Sequence, residues 1–148
     1  MAWEVEYTDE FGEWWETLRE EEQSDIDAYV RELERRGPTL PFPYSSDVKG
    51  SRHGEMRELR VQSGGKPIRI FYAFDPKRTA ILLVGGRKSG RKRFYDQTVT
   101  VADRLYDKHL ADLRAEEQKE ETHGRATSVR GTSGQDVTGG AGTRGRKG

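Results

Sequence analysis

Apolar residues recur along this chain with two periods, and the period changes where the elements change. Trp3-Glu4-Val5-Glu6-Tyr7 alternates apolar with acidic side chains, the pattern of a short half-buried strand. Phe11, Trp14, Trp15 and Leu18 then fall at helical spacing, with Thr8 or Asp9 available as a cap. Ile26, Tyr29, Val30 and Leu33 form a second helical stripe from about Glu21 to Arg36, and Gly37-Pro38 ends it. The two stripes predict an antiparallel helical hairpin with the tryptophans in the core.

A connector held extended by Pro38, Pro41 and Pro43 follows, then a polar loop from Asp47 to Gly54. Strand patterning covers Met56 to Val61, Pro67 to Phe74 and Thr79 to Val84. Gln62 to Lys66 joins the first two, and the turn Asp75-Pro76-Lys77-Arg78 joins the last two. Phe94 to about Leu113 is helical again, with Val101, Leu105, Leu110 and Leu113 as its apolar contacts, and weaker helix continues to Lys119. The order β-α-α-β-β-β-α predicts an α+β domain over residues 1–119: one small antiparallel sheet, a helical hairpin on one face, and a C-terminal helix. Residues 120–148 are rich in Gly, Ser, Thr and Arg. They hold too little apolar surface to offset their ordering entropy, so a disordered tail is expected.

Composition narrows the classes. Only 32% of the 148 residues are apolar, largely because of that tail. The absence of cysteine excludes disulfides and thiolate metal sites. No apolar run approaches the roughly 18 residues of a membrane span, and the N-terminus lacks a signal-peptide pattern, so a cytoplasmic protein without membrane contact is expected. The formal net charge is zero but unevenly spread. Residues 1–36 carry thirteen acids and four bases, whereas residues 49–93 carry three acids and thirteen bases.

The basic groups are strand residues Arg57, Arg60 and Arg69 and the glycine-broken run Gly85-Gly86-Arg87-Lys88-Ser89-Gly90-Arg91-Lys92-Arg93. Alternation puts some of these arginines on one face of the sheet, a surface suited to a polyanion such as RNA. Glycines 85, 86 and 90 would let backbone approach a ligand closely. HExxH and CxxC motifs are absent, and no metal or cofactor is called for.

Four segments stand in a telling order. They are the hairpin ending in Gly37-Pro38; Lys49-Gly50-Ser51 leading to Glu58-Leu59-Arg60; Ile68-Arg69-Ile70-Phe71-Tyr72; and Leu82-Leu83-Val84-Gly85-Gly86, followed by Lys88 and Ala102-Asp103-Arg104-Leu105-Tyr106. Over about Trp3 to Leu113 the chain resembles the RelE/ParE superfamily of type II toxin–antitoxin toxins, in its HigB-like branch. The resemblance implies a RelE-like fold and a ribosome-dependent, metal-independent mRNA endoribonuclease (an mRNA interferase) that inhibits translation and arrests growth. It also implies a cognate antitoxin, of a helix-turn-helix, HigA-like kind, with the ribosome and mRNA as targets. The ParE branch has the same fold and poisons DNA gyrase instead, and a non-catalytic binding module is a third reading.

The resemblance also points to residues. Arg60 and Arg69 match basic positions of the RelE pattern and are the leading phosphate ligands, because a guanidinium offers paired donors. Arg69 would otherwise brace the sheet through Glu58 or Asp75. Lys88 lies in the loop where the family keeps basic catalytic residues. Tyr95 falls near a family tyrosine that stacks on a base or assists proton transfer, and its other reading is a core contact. Arg57, Arg87, Arg91 and Arg93 are candidates for RNA attraction. Glu58 stands where RelE has a lysine, and it reads as general base or as a salt-bridge partner. His53 suits proton transfer near neutral pH or a surface role.

Overall fold

The computed structural model describes residues 2–126. The N-terminal alternation forms strand β1 (Val5–Tyr7), and the hairpin forms helices α1 (Asp9–Glu16) and α2 (Glu20–Arg36). Next come strands β2 (Ser45–Asp47), β3 (Arg57–Ser63), β4 (Lys66–Phe74) and β5 (Ala80–Arg87), and helix α3 (Arg91–Ala126). Thr8 joins the first strand to the first helix. Its hydroxyl accepts the Phe11 N–H at 3.0 Å and donates to the Leu83 carbonyl at 2.7 Å. One side chain thereby caps α1 and pins it to the sheet.

The strands lie in the order β1-β5-β4-β3-β2. The α+β class and the element order agree with the sequence reading, with two differences in the sheet. It is mixed, because β1 runs parallel to β5, with Val5 opposite Ala80. It also has an extra edge strand, β2, in a stretch read as connector and loop. Ser45-Ser46-Asp47 has no apolar alternation to reveal it; it is a strand because it pairs with Arg57, Glu58 and Leu59.

Both sheet faces are covered. Leu59, Val61, Ile68, Ile70, Tyr72 and Leu82 pack with Phe11, Ile26, Val30 and Leu33 of the hairpin. Met56, Phe71, Ala73, Ile81 and Leu83 pack with Val99, Ala102, Leu105 and Tyr106 of α3. Each such side chain contributes roughly 1.5–3 kcal/mol by leaving water. A basic sheet face open along its length is therefore not what forms, since α3 covers most of the side opposite the hairpin. The basic groups emerge only where α3 begins.

Two glycines make room for tryptophans. A Cβ on Gly85 would lie 2.4 Å from the Trp14 ring, and one on Gly37, at φ +58°, would lie 2.4 Å from the Trp3 indole. Helix α3 starts earlier than periodicity suggests and runs past Lys119 to Ala126. Residues 127–148, most of the expected tail, lie outside the described residues. Among the described residues no helix is long and apolar enough to cross a membrane.

Candidate nucleic-acid interface

Arg60 on β3 faces Arg69 on β4, and Arg69 faces Gly86 on β5. This row crosses the sheet on the α3 side, beside the first turns of that helix. Glu58 and Phe71 form the next row. Phe94 closes over Gly86, where a Cβ would meet its ring at 3.2 Å. Gly85 and Gly86 thus accommodate Trp14 and Phe94, which corrects their reading as points of ligand approach. Gly90, at φ +67°, makes the turn into α3.

Glu58 is the hub of the site and is 4% exposed. Its Oε1 accepts the Tyr95 hydroxyl at 2.6 Å. Its Oε2 accepts the Ser46 hydroxyl at 2.8 Å and Arg60 Nη1 at 3.3 Å. Arg69 Nε stands 3.7 Å from Oε1, within ion-pair reach but beyond a hydrogen bond. Arg69 is itself 4% exposed, and its Nη1 donates to the Ile68 carbonyl at 3.2 Å. Its Nε has no hydrogen-bond partner. A buried donor left unsatisfied costs about 1–3 kcal/mol, more on a charged group, so Arg69 is held ready for an acceptor.

Lys88 follows β5, and its backbone N–H bonds the Pro67 carbonyl at 3.0 Å. Burial pushes its ammonium below the usual lysine range, and the charges of Arg69, Arg91 and Arg60 push it further, against the pull of Glu58. The Tyr95 phenol is pushed up, first by burial and then by Glu58, with Arg69 opposing. Three cations, Arg60, Arg69 and Lys88, therefore act on one carboxylate, with Arg91 close enough to Lys88 to repel it. The start of α3 adds to the field, since Arg91, Lys92 and Arg93 occupy its positive end with no acid in the first turn. Such an arrangement opposes helix stability locally and favours a bound anion.

The structure leaves three sequence candidates outside this cluster. Arg57 points to the hairpin side, where it bonds Asp47 Oδ1 at 2.5 Å and the Ser45 hydroxyl at 3.1 Å. Alternation from Arg60 by three residues puts it on the opposite face. Arg87 also faces the hairpin, forked onto the buried Glu22 with Nε to Oε2 at 3.0 Å and Nη2 to Oε1 at 2.7 Å. His53 binds Asp107 Oδ1 at 2.8 Å, edge-on to the Tyr106 ring at 4.8 Å, and with Ser51 fastens its loop to α3. Arg91 and Arg93 are exposed on the first turn of α3, and Arg91 is near enough to Lys88 to act on its charge. Sequence reasoning missed Ser46, which sits on the unforeseen strand, and Phe42. The Phe42 ring is 68% exposed and lies 5.0 Å from the Arg60 guanidinium. An aromatic between Pro41 and Pro43 in a polar stretch was the available signal. Among the described residues no group of three His, Asp or Glu side chains is placed to hold a metal ion.

A family model described as Phage derived protein Gp49-like matches residues 13–107. Two Mycobacterium tuberculosis proteins that carry the toxin names HigB2 and HigB3 are similar over most of the folded part. HigB2 is 41% identical over 102 residues, 68% of this chain and 51% of its own length. The chain thus spans about half of that relative. HigB3 is 40% identical over 99 residues, 66% of this chain and 85% of its own length. An Escherichia coli toxin RelE mutant in the free state superposes with a TM-score of 0.51 at 14% identity, over 68% of this chain and 97% of that one, a likeness of fold.

Proposed function

This chain belongs to the Phage derived protein Gp49-like family, and we propose that it is the toxin of a type II toxin–antitoxin pair, a ribosome-dependent endoribonuclease that cuts messenger RNA. The single observation that carries the reading is Arg69: a guanidinium almost wholly buried, ion-paired to Glu58 but with no hydrogen-bond partner at Nε, within a cationic cluster. The mycobacterial relatives named as toxins support the same assignment.

The chemistry needs only groups at this site. Arg60 and Arg69 grip the non-bridging oxygens of the scissile phosphate and stabilise the charge that grows on them. As they turn to the phosphate, a Glu58 oxygen is freed to take the proton of the 2′-hydroxyl, whose oxygen attacks phosphorus. Lys88, with its ammonium made more acidic by burial and the neighbouring arginines, gives a proton to the departing 5′-oxygen. The products are a 2′,3′-cyclic phosphate and a 5′-hydroxyl. Tyr95 and Ser46 keep the Glu58 carboxylate in place through their hydroxyls. Arg91 and Arg93 add attraction for the ribosome's phosphates. The partner in this reading is a cognate antitoxin of helix-turn-helix kind, and the site of action is the cytoplasm.

Primer extension on transcripts after induced expression tests the function. Cuts within codons, lost in Arg69→Ala, are the expected result. Intact transcripts together with DNA breaks would point to gyrase, and full viability with abundant folded protein would point to a binding module.

A further inference from the structure

We propose that Phe42 is a nucleobase-stacking residue of this site, holding the base next to the phosphate that Arg60 grips. The inference rests on the RNA reading above and goes beyond it by naming how a nucleotide is seated.

Among the described residues two large hydrophobic side chains are exposed, Phe42 at 68% and Tyr44 at 37%. They differ in what they touch. The Tyr44 ring meets Tyr29 edge-on at 5.9 Å and lies under Arg36 at 5.8 Å, so it helps fix the connector to α2. Phe42 makes no such packing contact; its ring meets the Arg60 guanidinium. Its backbone is nonetheless firmly placed. The Pro41 carbonyl accepts N–H groups from Tyr44 at 2.9 Å and Ser45 at 3.1 Å, and the Tyr44 carbonyl accepts the Arg60 N–H at 2.9 Å. A ring that fills no core is thus held in water beside the candidate phosphate ligand.

Guanidinium chemistry allows both contacts at once. The Arg60 guanidinium carbon lies over the aromatic ring, and a guanidinium in that position can still aim N–H donors at phosphate oxygens. A base attached to that phosphate's nucleotide has its own face within reach of the open side of Phe42. Aromatic–base stacking needs no particular base, since every base has a π face. The surrounding charge selects the partner: Arg60, Arg69, Lys88 and Arg91 attract a polyanion, and an apolar protein surface would have to desolvate them.

The test uses the full chain and a short single-stranded oligoribonucleotide made uncleavable by 2′-O-methylation, both free and as the message on programmed ribosomes. A matched series carries one abasic nucleotide at successive positions. Phe42→Ala is expected to weaken binding of the base-bearing RNA roughly five- to a hundredfold. It should leave binding of one member of the abasic series, the one lacking the stacked base, at the parent's level. Phe42→Tyr should bind within about twofold of the parent, whereas Phe42→Leu, equally apolar, should stay weakened. An equal loss on base-bearing and every abasic RNA would overturn the proposal, because the ring would then serve only to steady Arg60. Undiminished RNA binding by Phe42→Ala, with Arg69→Ala defective, would also overturn it and mark the ring as a protein contact. A parent chain that binds neither form of the RNA would instead remove the RNA reading itself.

Discussion

Arg69 Nε and Glu58 Oε1 lie 3.7 Å apart on neighbouring strands, near enough to attract and too far to share a hydrogen. The nearer place on Oε1 is taken by the Tyr95 hydroxyl at 2.6 Å. Charge is thereby balanced while one buried donor stays unused. The arrangement holds the arginine in place and leaves its Nε without a hydrogen-bond acceptor.

Arg69→Ala should abolish growth arrest and lower cleavage by about a hundred- to a thousandfold, the scale of losing one oxyanion donor. Arg69→Lys should recover little, because an ammonium lacks the planar fork. Both variants should remain folded by circular dichroism. A Lys variant as toxic as the parent would show that charge alone suffices.

Glu58→Gln keeps an oxygen for Tyr95 or Ser46 but removes the proton acceptor. Cleavage on programmed ribosomes should fall by roughly a hundred- to ten-thousandfold. Binding of uncleavable RNA should hold or tighten, since a negative charge has left the phosphate pocket. Cleavage at the parent rate would assign Glu58 to structure alone.

Lys88→Gln separates activity from stability. The variant should cleave poorly, yet its Tm in low salt should equal or exceed the parent's. Burial and the charges of Arg69, Arg91 and Arg60 disfavour the lysine's charged form in the fold. The depressed folded value means the penalty is present while pH is below it and fades as pH rises through it. Added salt should shrink the Tm difference by screening the arginines. Differential scanning calorimetry at two salt concentrations reads this directly.

Asp75 is one of the carboxyls that make the fold sensitive to acid. Burial pushes its carboxyl up, but bonds from His109 at 2.8 Å, Thr79 N–H at 3.0 Å and Lys77 N–H at 2.9 Å outweigh it and hold it below 3.8. A carboxylate lowered in the fold contributes stability that is present above its ordinary value and lost as pH falls through the folded one. Asp75→Asn should therefore destabilise at neutral pH by on the order of 1 kcal/mol and flatten the decline of Tm below about pH 4. An unchanged acid limb would transfer that role to another carboxylate.

Arg87→Ala serves as a control from the same basic run. It removes the forked partner of the buried Glu22, which keeps the Arg19 N–H at 3.0 Å and the Arg19 Nε at 3.6 Å at the start of α2. Stability should fall by roughly 1–3 kcal/mol. RNA affinity per folded molecule should stay at the parent's level, since Arg87 points away from the cluster. A loss of affinity with an unchanged Tm would return Arg87 to the interface.

The sequence and the structure agree where periodicity is strong and diverge where geometry is made by pairing. The hairpin stripes and the runs around Leu59, Ile70 and Leu82 announce themselves by burial pattern. Ser45–Asp47 does not, because a three-residue polar edge strand exists only by virtue of β3. That Arg60 and Arg69 share one face could be read from the sequence, because strand alternation fixes their side once the register is known. The same alternation, applied strictly, would have excluded Arg57. Arg87 and His53 stand outside the cluster for another reason: their partners, Glu22 and Asp107, are 65 and 54 residues away in sequence. Glu58 was legible as a departure, but its bond to Tyr95 depends on where α3 begins.

The parallel strand at the sheet's edge has a consequence for how the molecule comes into being. Val5–Tyr7 leaves the ribosome well before its neighbour Ala80–Leu82, and Thr8 bonds to Leu83 75 residues onward. That strand must wait for its partner until most of the domain has been synthesised. Closing so long a loop is slow compared with winding the helices between. A truncated translation product that stops short of Ala80 would lack this seam, and its first strand would have no neighbour to complete the sheet's edge.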